Sequence, residues 1–162
     1  MKAIAAVTCN WGIGKDNRLL ISIPEDMKFF REKTAGSVVI MGRKTLESFP
    51  GGKPLKNRVN IVITRAGDYN PEGVIVVHNV EEAVKAAGKT GNESVFVIGG
   101  ESIYRQMVPL CDTVYITKAD ICPDADAFFP DMDADPGFFV SSESEEKEHQ
   151  GIRFRFVTYS KS

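Results

Sequence analysis

Cysteine is scarce in this chain: three among 162 residues, Cys9, Cys111 and Cys122. They are far apart, odd in number and form no CxxC, and the two histidines, His78 and His149, do not cluster with them. Neither a disulfide framework nor a zinc site is expected, and a reducing compartment is the natural setting. An excess of one charge is also lacking. Twenty Lys and Arg stand against 22 Asp and Glu, for a net charge of −2, so there is no basic field for nucleic acid or an anionic membrane. No segment approaches the length of a membrane span. The apolar stretch in MKAIAAVTCN is cut off by Asn10, Trp11 and Gly12, too early for a signal peptide. Repeats and long linkers are absent. GxGxxG is missing too, and Gly12-Ile-Gly-Lys15 lacks the spacing of a P-loop. What remains is a chain 43% hydrophobic, sufficient for one domain over residues 1–162, expected to be a cytoplasmic monomer.

What is present is alternation. Ala3–Thr8 (AIAAVT), Ser37–Met41 (SVVIM), Arg58–Ile63 (RVNIVI), Val74–Val77 (VIVV), Ser94–Ile98 (SVFVI) and Thr113–Thr117 (TVYIT) read as buried strands. Short helices are predicted at Arg43–Phe49, at Val80–Ala87 (ending at Gly88) and at Glu101–Val108. Continuous apolar strands between helices imply a mostly parallel sheet covered on both faces, an α/β fold. In the tail, Ile152, Phe154 and Phe156 alternate with Arg153 and Arg155. With Phe138–Ser142 they predict an antiparallel pair at the sheet edge, and Glu143–Gly151 between them a solvated strand end or turn. Cys9–Ser22 reads as a long polar loop, either a mobile lid or a static connection.

The stretch LLISIPEDMKFF (19–30) opens a helix. Pro24 suits its first turn, and Ser22 with Glu25 has the spacing of a capping box. At about 100° per residue, Ile23, Met27 and Phe30 share one face, while Glu25, Lys28 and Glu32 share the other. Asp26 falls between Phe29 and Phe30, on the apolar side. A carboxylate there has its charged form disfavoured by desolvation, which raises its pKa. The plain alternative is a carboxylate stabilised by the helix N-terminus.

Ligands of open α/β sheets lie beyond the carboxyl ends of the strands. Here those ends carry Gly42-Arg43-Lys44-Thr45, Thr64-Arg65 and Gly99-Gly100-Glu101-Ser102. Strand, glycine, helix N-terminus is an anion-binding arrangement. Any one site is an ordinary turn with solvated cations; three converging on one sheet edge point to a dinucleotide. Cations at two ends, and no acidic residue placed for a free ribose 2′-hydroxyl, favour NADP over NAD.

These residues belong to a larger set of markers: Ala5-Ala6, Trp11-Gly-Ile-Gly14 with Asn17, Pro24-Glu-Asp26 with Phe30, Val39 through Thr45, Ile98-Gly-Gly100 with Tyr104, Thr117, and Asp126-Ala-Phe-Phe-Pro130. Together they resemble the dihydrofolate reductase family over essentially the whole chain. The resemblance implies an enzyme of tetrahydrofolate biosynthesis: NADPH-dependent reduction of 7,8-dihydrofolate on a predominantly parallel eight-stranded sheet, inhibited by antifolates. It implies Asp26 as the ionisable group of the pterin pocket, with Ile4, Ala5, Met27, Phe30, Phe49, Ile98 and Thr117 lining or supporting it. Arg58 would take the α-carboxylate of the glutamate tail, aided by Lys53 and Lys56. Ala6, Ile13 and Gly14 would touch the nicotinamide. Gly42, Arg43, Lys44, Thr45, Thr64, Arg65 and the turn Gly99, Gly100, Glu101, Ser102, Ile103, Tyr104 would hold phosphates and adenosine. The Gly99–Gly100 bond resembles the family's cis peptide.

Departures accompany the match. Leu20-Ile21 stand where the family usually has Pro-Trp, Ser102 where some relatives carry Arg, and Leu46 where others carry Trp. A riboflavin-pathway reductase of the same architecture is the rival enzyme, opposed by the Asp26 helix and Arg58. A silent NADP-binding module would have no use for a carboxylate facing its core.

Overall fold

The computed structural model describes all residues, 1–162. In chain order the elements are β1 (Lys2–Val7), β2 (Gly12–Lys15), β3 (Arg18–Leu19), α1 (Pro24–Thr34), β4 (Val38–Gly42), α2 (Arg43–Glu47), β5 (Val59–Ile63) and β6 (Val74–Val77). There follow α3 (Val80–Lys89), β7 (Val95–Gly99), α4 (Glu101–Met107), β8 (Thr113–Ala119), β9 (Ala127–Phe128), β10 (Phe138–Glu143), β11 (Lys147–His149) and β12 (Ile152–Lys161). The main sheet runs β10-β12-β8-β1-β7-β4-β5-β6, with β11 added beside β12. From β8 to β6 every pairing is parallel, and β12 joins β8 and β10 antiparallel. The α/β architecture and the antiparallel tail match the pattern of apolar runs. The stretch expected as a turn, Glu143–Gly151, gives up Lys147–His149 to a short strand on β12.

Alternation along each strand feeds two cores. Val38 and Ile40 face the cluster that holds Ala83, Ala87, Ile103 and Met107, from α3 and α4. Val39 and Met41 face the cluster of Ile4, Leu46, Phe96 and Ile98, against which Phe29, Phe30 and Phe49 pack. This is the period-two geometry of a strand buried on both faces. A third cluster, Ile21, Ile23, Ala119 and Phe154, closes the far side of α1.

Helix ends differ in detail from the expectation. The N-cap of α1 is Ile23, with Pro24 as first helical residue and no side-chain cap bond. The Ser22–Glu25 capping box does not form, because the helix starts one residue later than that spacing requires, and Pro24 needs no partner for a missing N–H. α3 runs through Gly88 to Lys89, capped at its start by Asn79, whose side chain accepts from the Glu82 N–H at 2.8 Å. The left-handed residue that turns the chain is Gly91, at φ +72°.

Cys9–Ser22 is not simply a loop. It contributes β2 and β3, which join β9 in a separate three-stranded sheet, β3-β2-β9. β9 lies more than a hundred residues away, so no local periodicity announces it. The fold also brings together two cysteines far apart in the chain: Cys9 and Cys122 lie side by side, with Cα atoms 5.4 Å apart. They follow the adjacent parallel strands β1 and β8, and that adjacency is invisible to spacing in the chain.

Gly12 sits in the small sheet with no room for a side chain. A Cβ there would lie 2.7 Å from Thr8 Oγ1 and 2.8 Å from the Ala125 Cβ. Gly88 has open space around it inside α3. Gly12→Ala is expected to cost about 1–3 kcal/mol through overpacking, whereas Gly88→Ala should gain up to about 1 kcal/mol of helix propensity. Thermal unfolding of the two variants checks the opposite signs.

Candidate active site

α1 lies across the second face of the sheet. Phe29 stacks on Phe156 with ring centroids 4.6 Å apart and meets Tyr115 edge-on at 6.1 Å. Ile23 belongs to the third cluster, while Phe29 and Phe30 pack on the second. Asp26 therefore leaves the helix between two apolar clusters. Met27 is 49% exposed, so the buried stripe runs through Ile23, Phe29, Phe30 and Thr34, and Met27 lies outside the packed core.

Asp26 is half-buried, and its Oδ1 accepts a hydrogen bond of 2.6 Å from the Thr117 hydroxyl. Thr117 sits on β8, in register with Ala6 of β1 and Phe156 of β12. Burial raises the Asp26 pKa above its ordinary 3.8, and the Thr117 bond opposes the rise without cancelling it. Burial, and secondarily the same carboxylate, pushes the Tyr104 phenol up. The Tyr104 hydroxyl donates to the Ile4 carbonyl at 2.8 Å, which ties α4 to β1 beside the cleft.

Other predicted pocket residues divide by burial. Ile4, Ile98 and Thr117 are buried; Ala5, Phe30 and Phe49 are half-buried. Arg58 is held by two bonds, Nε donating to Thr34 Oγ1 at 2.9 Å and Nη1 to the Lys56 carbonyl at 2.7 Å. Two of its five N–H groups are used, leaving three for an incoming acceptor. Sequence reasoning missed the residue that shapes this corner. Asn60, buried in mid-strand, accepts from the Leu55 N–H at 3.0 Å and donates to the Leu55 and Arg58 carbonyls at 2.9 and 3.2 Å. A polar residue within the otherwise apolar VNIVI was the available signal.

The strand ends converge as expected. Gly42 pairs with Ile63, Ile63 with Val77, and Met41 with Gly99, so Arg43, Thr64, His78 and Gly100 emerge along one edge. Arg43 pairs with Glu47 at 3.2 Å and lies 4.6 Å from the Tyr69 ring centre. Lys44 and Arg65 are exposed and carry no ion pair. Gly99–Gly100 is a cis peptide, and a Cβ on Gly99 would lie 3.3 Å from Thr45 Oγ1. Ile103 packs on Gly42, and Ser102 is exposed. The Glu101 carboxylate is occupied, accepting from the Phe128 N–H at 2.6 Å and pairing with Arg105 at 3.0 Å. His78 was not singled out from sequence. Its Nδ1 lies 2.8 Å from the Thr64 carbonyl, and its place directly after VIVV was the signal.

Ile13 and Gly14 are half-buried in β2. Beyond them, the Asn17 side chain donates to the Lys44 carbonyl at 3.3 Å, so the small sheet reaches across to α2. Ile21, in the place of the family's usual Trp, is 5% exposed in the third cluster. Leu46 is likewise a core residue. A separate cavity of about 310 Å³ lies at Thr8, Trp11, Lys118 and Arg153, and contains none of the residues above.

A sheet flanked by helices, glycines and cations at its strand ends and a half-buried carboxylate on α1 define an α/β protein with the chemical groups of an enzyme site. Comparison with known proteins narrows the class. The family model described as dihydrofolate reductase matches residues 1–161. The chain is 38% identical to the dihydrofolate reductase of Bacillus subtilis (strain 168), over 98% of this chain and 92% of that one. It is 40% identical to that of Neisseria gonorrhoeae, over 96% and 94%. A solved structure of the Enterococcus faecalis dihydrofolate reductase, complexed with NADP(H) and RAB-propyl, superposes with a TM-score of 0.89 at 35% identity, covering 99% of this chain and 95% of that one. The chain belongs to the dihydrofolate reductase family.

The raised Asp26 pKa has a consequence for stability. The folded state holds this proton more tightly than the unfolded chain, so stability from Asp26 is fullest below the ordinary value and falls as pH rises above it. Asp26→Asn should remove that fall and be at least as stable as the parent at pH 7. Urea unfolding of both proteins from pH 3.5 to 7 checks it.

Proposed function

We propose that the chain catalyses NADPH-dependent reduction of 7,8-dihydrofolate to 5,6,7,8-tetrahydrofolate, as a cytoplasmic monomer whose residues 1–162 form one domain and which binds no nucleic acid. The observation that carries this reading is the Asp26–Thr117 pair, a carboxylate held between apolar clusters in a chain of this family.

The Thr117 bond fixes the rotation of the carboxylate through Oδ1, and Oδ2 receives no donor from the protein. Such a group accepts the 2-amino and ring N–H of a pterin as a two-point partner. With its pKa raised by burial, Asp26 also favours the protonated heterocycle, which makes the adjacent carbon a better hydride acceptor. Ile4, Phe30, Phe49 and Ile98 supply the apolar walls, and Arg58 the cation for a carboxylate tail.

The residues at the strand ends fit a phosphorylated dinucleotide. Lys44 and Arg65 are unpaired cations, and at Gly99 the backbone runs where a Cβ would crowd Thr45. NADPH, when bound, supplies the hydride. Gly42, Arg43, Lys44, Thr45, Arg65 and the turn from Gly99 to Tyr104 would hold it. Ala6, Ile13 and Gly14 would shield its nicotinamide end from water and fix its distance from the pterin.

Asp26→Asn should bind NADPH normally and lose about 10²-fold or more in turnover at pH 7. A spectrophotometric assay of NADPH oxidation dependent on dihydrofolate measures it, and undiminished turnover would remove Asp26 from the chemistry. Replacing Arg43 and Arg65 together by Ala should raise KM for NADPH far more than for NADH. Equal losses would mean that neither reads a 2′-phosphate.

A further inference from the structure

We propose that Lys118, Asp133 and Tyr159 form a clamp that positions Trp11 and, through it, the strand β2 that carries Ile13 and Gly14, so that breaking the clamp weakens retention of the nicotinamide cofactor. The clamp stands on the geometry alone; its effect on the cofactor rests on the function proposed above.

Successive side chains of β8 point to opposite faces of the sheet. Thr117 turns toward α1 and bonds to Asp26, and Lys118 reaches the other face. There its Nζ lies 5.0 Å from the centre of the Trp11 ring and 5.6 Å from that of Tyr159, within cation–π range of both. The same Nζ donates to Asp133 Oδ2 at 2.6 Å, and the Tyr159 hydroxyl donates to Asp133 Oδ1 at 2.7 Å. One carboxylate thus gathers a donor from β8 and a donor from β12, and fixes the cation against the indole. Burial alone would raise the Asp133 pKa, yet the bonds from Lys118 and Tyr159, with the charges of Lys118 and Arg155, bring it below its ordinary value. The carboxylate is therefore ionised at neutral pH, as the pairing requires.

Trp11 needs such support, because its φ is +64°. Asp16, Asn17 and Asn57 share that left-handed region, which short polar residues enter readily. An indole there is a strained outlier, and it persists where the surroundings over-determine it. The ring is half-buried and borders the 310 Å³ cavity, and the rings of Phe129 and Tyr159 lie 6.3 Å away between centres. Of the three cations at that cavity, Lys118, Arg153 and Arg155, Lys118 alone lies over an aromatic ring, and Arg155 is taken up by Glu143. The Trp11 N–H donates to the Thr8 carbonyl at 3.0 Å, and the Trp11 carbonyl accepts from the Phe129 N–H at 2.8 Å. β2 begins at the next residue. It is four residues long and pairs with a two-residue strand on either side, a ladder with little stability of its own. The direction in which β2 leaves the main sheet is therefore set at Trp11, and Lys118 is a positioning residue.

Trp11 is the single tryptophan, so intrinsic fluorescence of the full chain reports on this position. Lys118→Met keeps an unbranched side chain and removes the charge. Without ligand, it should make Trp11 emission about twofold or more as quenchable by acrylamide. Hydrogen exchange across residues 12–20 should quicken about fivefold, with exchange in β7 unchanged. Lys118→Arg, which retains the cation and its pairing, should keep the parent values. In dihydrofolate-dependent oxidation of NADPH, Lys118→Met should raise KM for NADPH about threefold and leave KM for dihydrofolate unmoved. In a Trp11→Leu background, Lys118→Met should add nothing to KM for NADPH, because the two changes break one contact. Unchanged quenching and exchange in Lys118→Met overturn the clamp, and so does exchange that quickens equally in β7, the mark of a general loss of stability. Altered quenching with unaltered KM for NADPH, or full additivity with Trp11→Leu, overturns its effect on the cofactor. A parent protein that fails to reduce dihydrofolate overturns the functional reading instead, and quenching and exchange still decide the clamp.

Discussion

The hydroxyl of Thr117 donates to the carboxylate of Asp26, and the rest of the site depends on that bond. It joins the first turn of α1 to the middle of the sheet, at the strand next to β1. Two forces act on the carboxylate in opposite directions. Burial disfavours its charge, while the Thr117 hydroxyl and the adjacent helix N-terminus favour it. Burial wins, since the pKa moves upward. A charge-assisted hydrogen bond contributes about 1.5–3 kcal/mol, enough to keep the side chain in its cleft although the cleft disfavours its ionised form.

Two apolar clusters make this possible. Ile23 anchors the start of α1 in one, and Phe29 and Phe30 anchor its middle in the other. Ile23 is fully buried, and burying a side chain of this size contributes about 1.5–3 kcal/mol. The helix is thus secured on both sides of Asp26 without any side-chain N-cap. Ile21 extends the cluster around Ile23 with a buried aliphatic side chain.

The gathering of glycines and cations at one edge arises from a different constraint, the common direction of the parallel strands. Because β4, β5, β6 and β7 run the same way, their exits meet along one edge, and the residues just past them, Arg43, Thr64, His78 and Gly100, become neighbours. Across this edge the small sheet reaches from Trp11 to Asn17, whose side chain touches the Lys44 carbonyl. Glu101 ties the same edge to β9 through the Phe128 N–H. The strand-end edge is thus tied at two points to one short element, at whose root Cys9 and Cys122 lie side by side.

The strands, their order of burial and the carboxylate on an apolar helix face were legible in the sequence, because each depends on local periodicity: unbroken apolar runs for buried strands, a turn of about 100° per residue for α1. The glycines and cations at the strand ends were legible for the same reason, since they follow directly on those runs. Asn60 and His78 left only faint marks, one polar residue in an apolar strand and one just past another. The capping box was a correct spacing set one residue away from the true helix start. The pairing of β2 with β9, the approach of Cys9 to Cys122 and the bond from Thr117 to Asp26 were decided by tertiary structure alone. Each joins segments about ninety or more residues apart, and only the packing of β1 beside β8, with α1 laid across them, brings those atoms within reach.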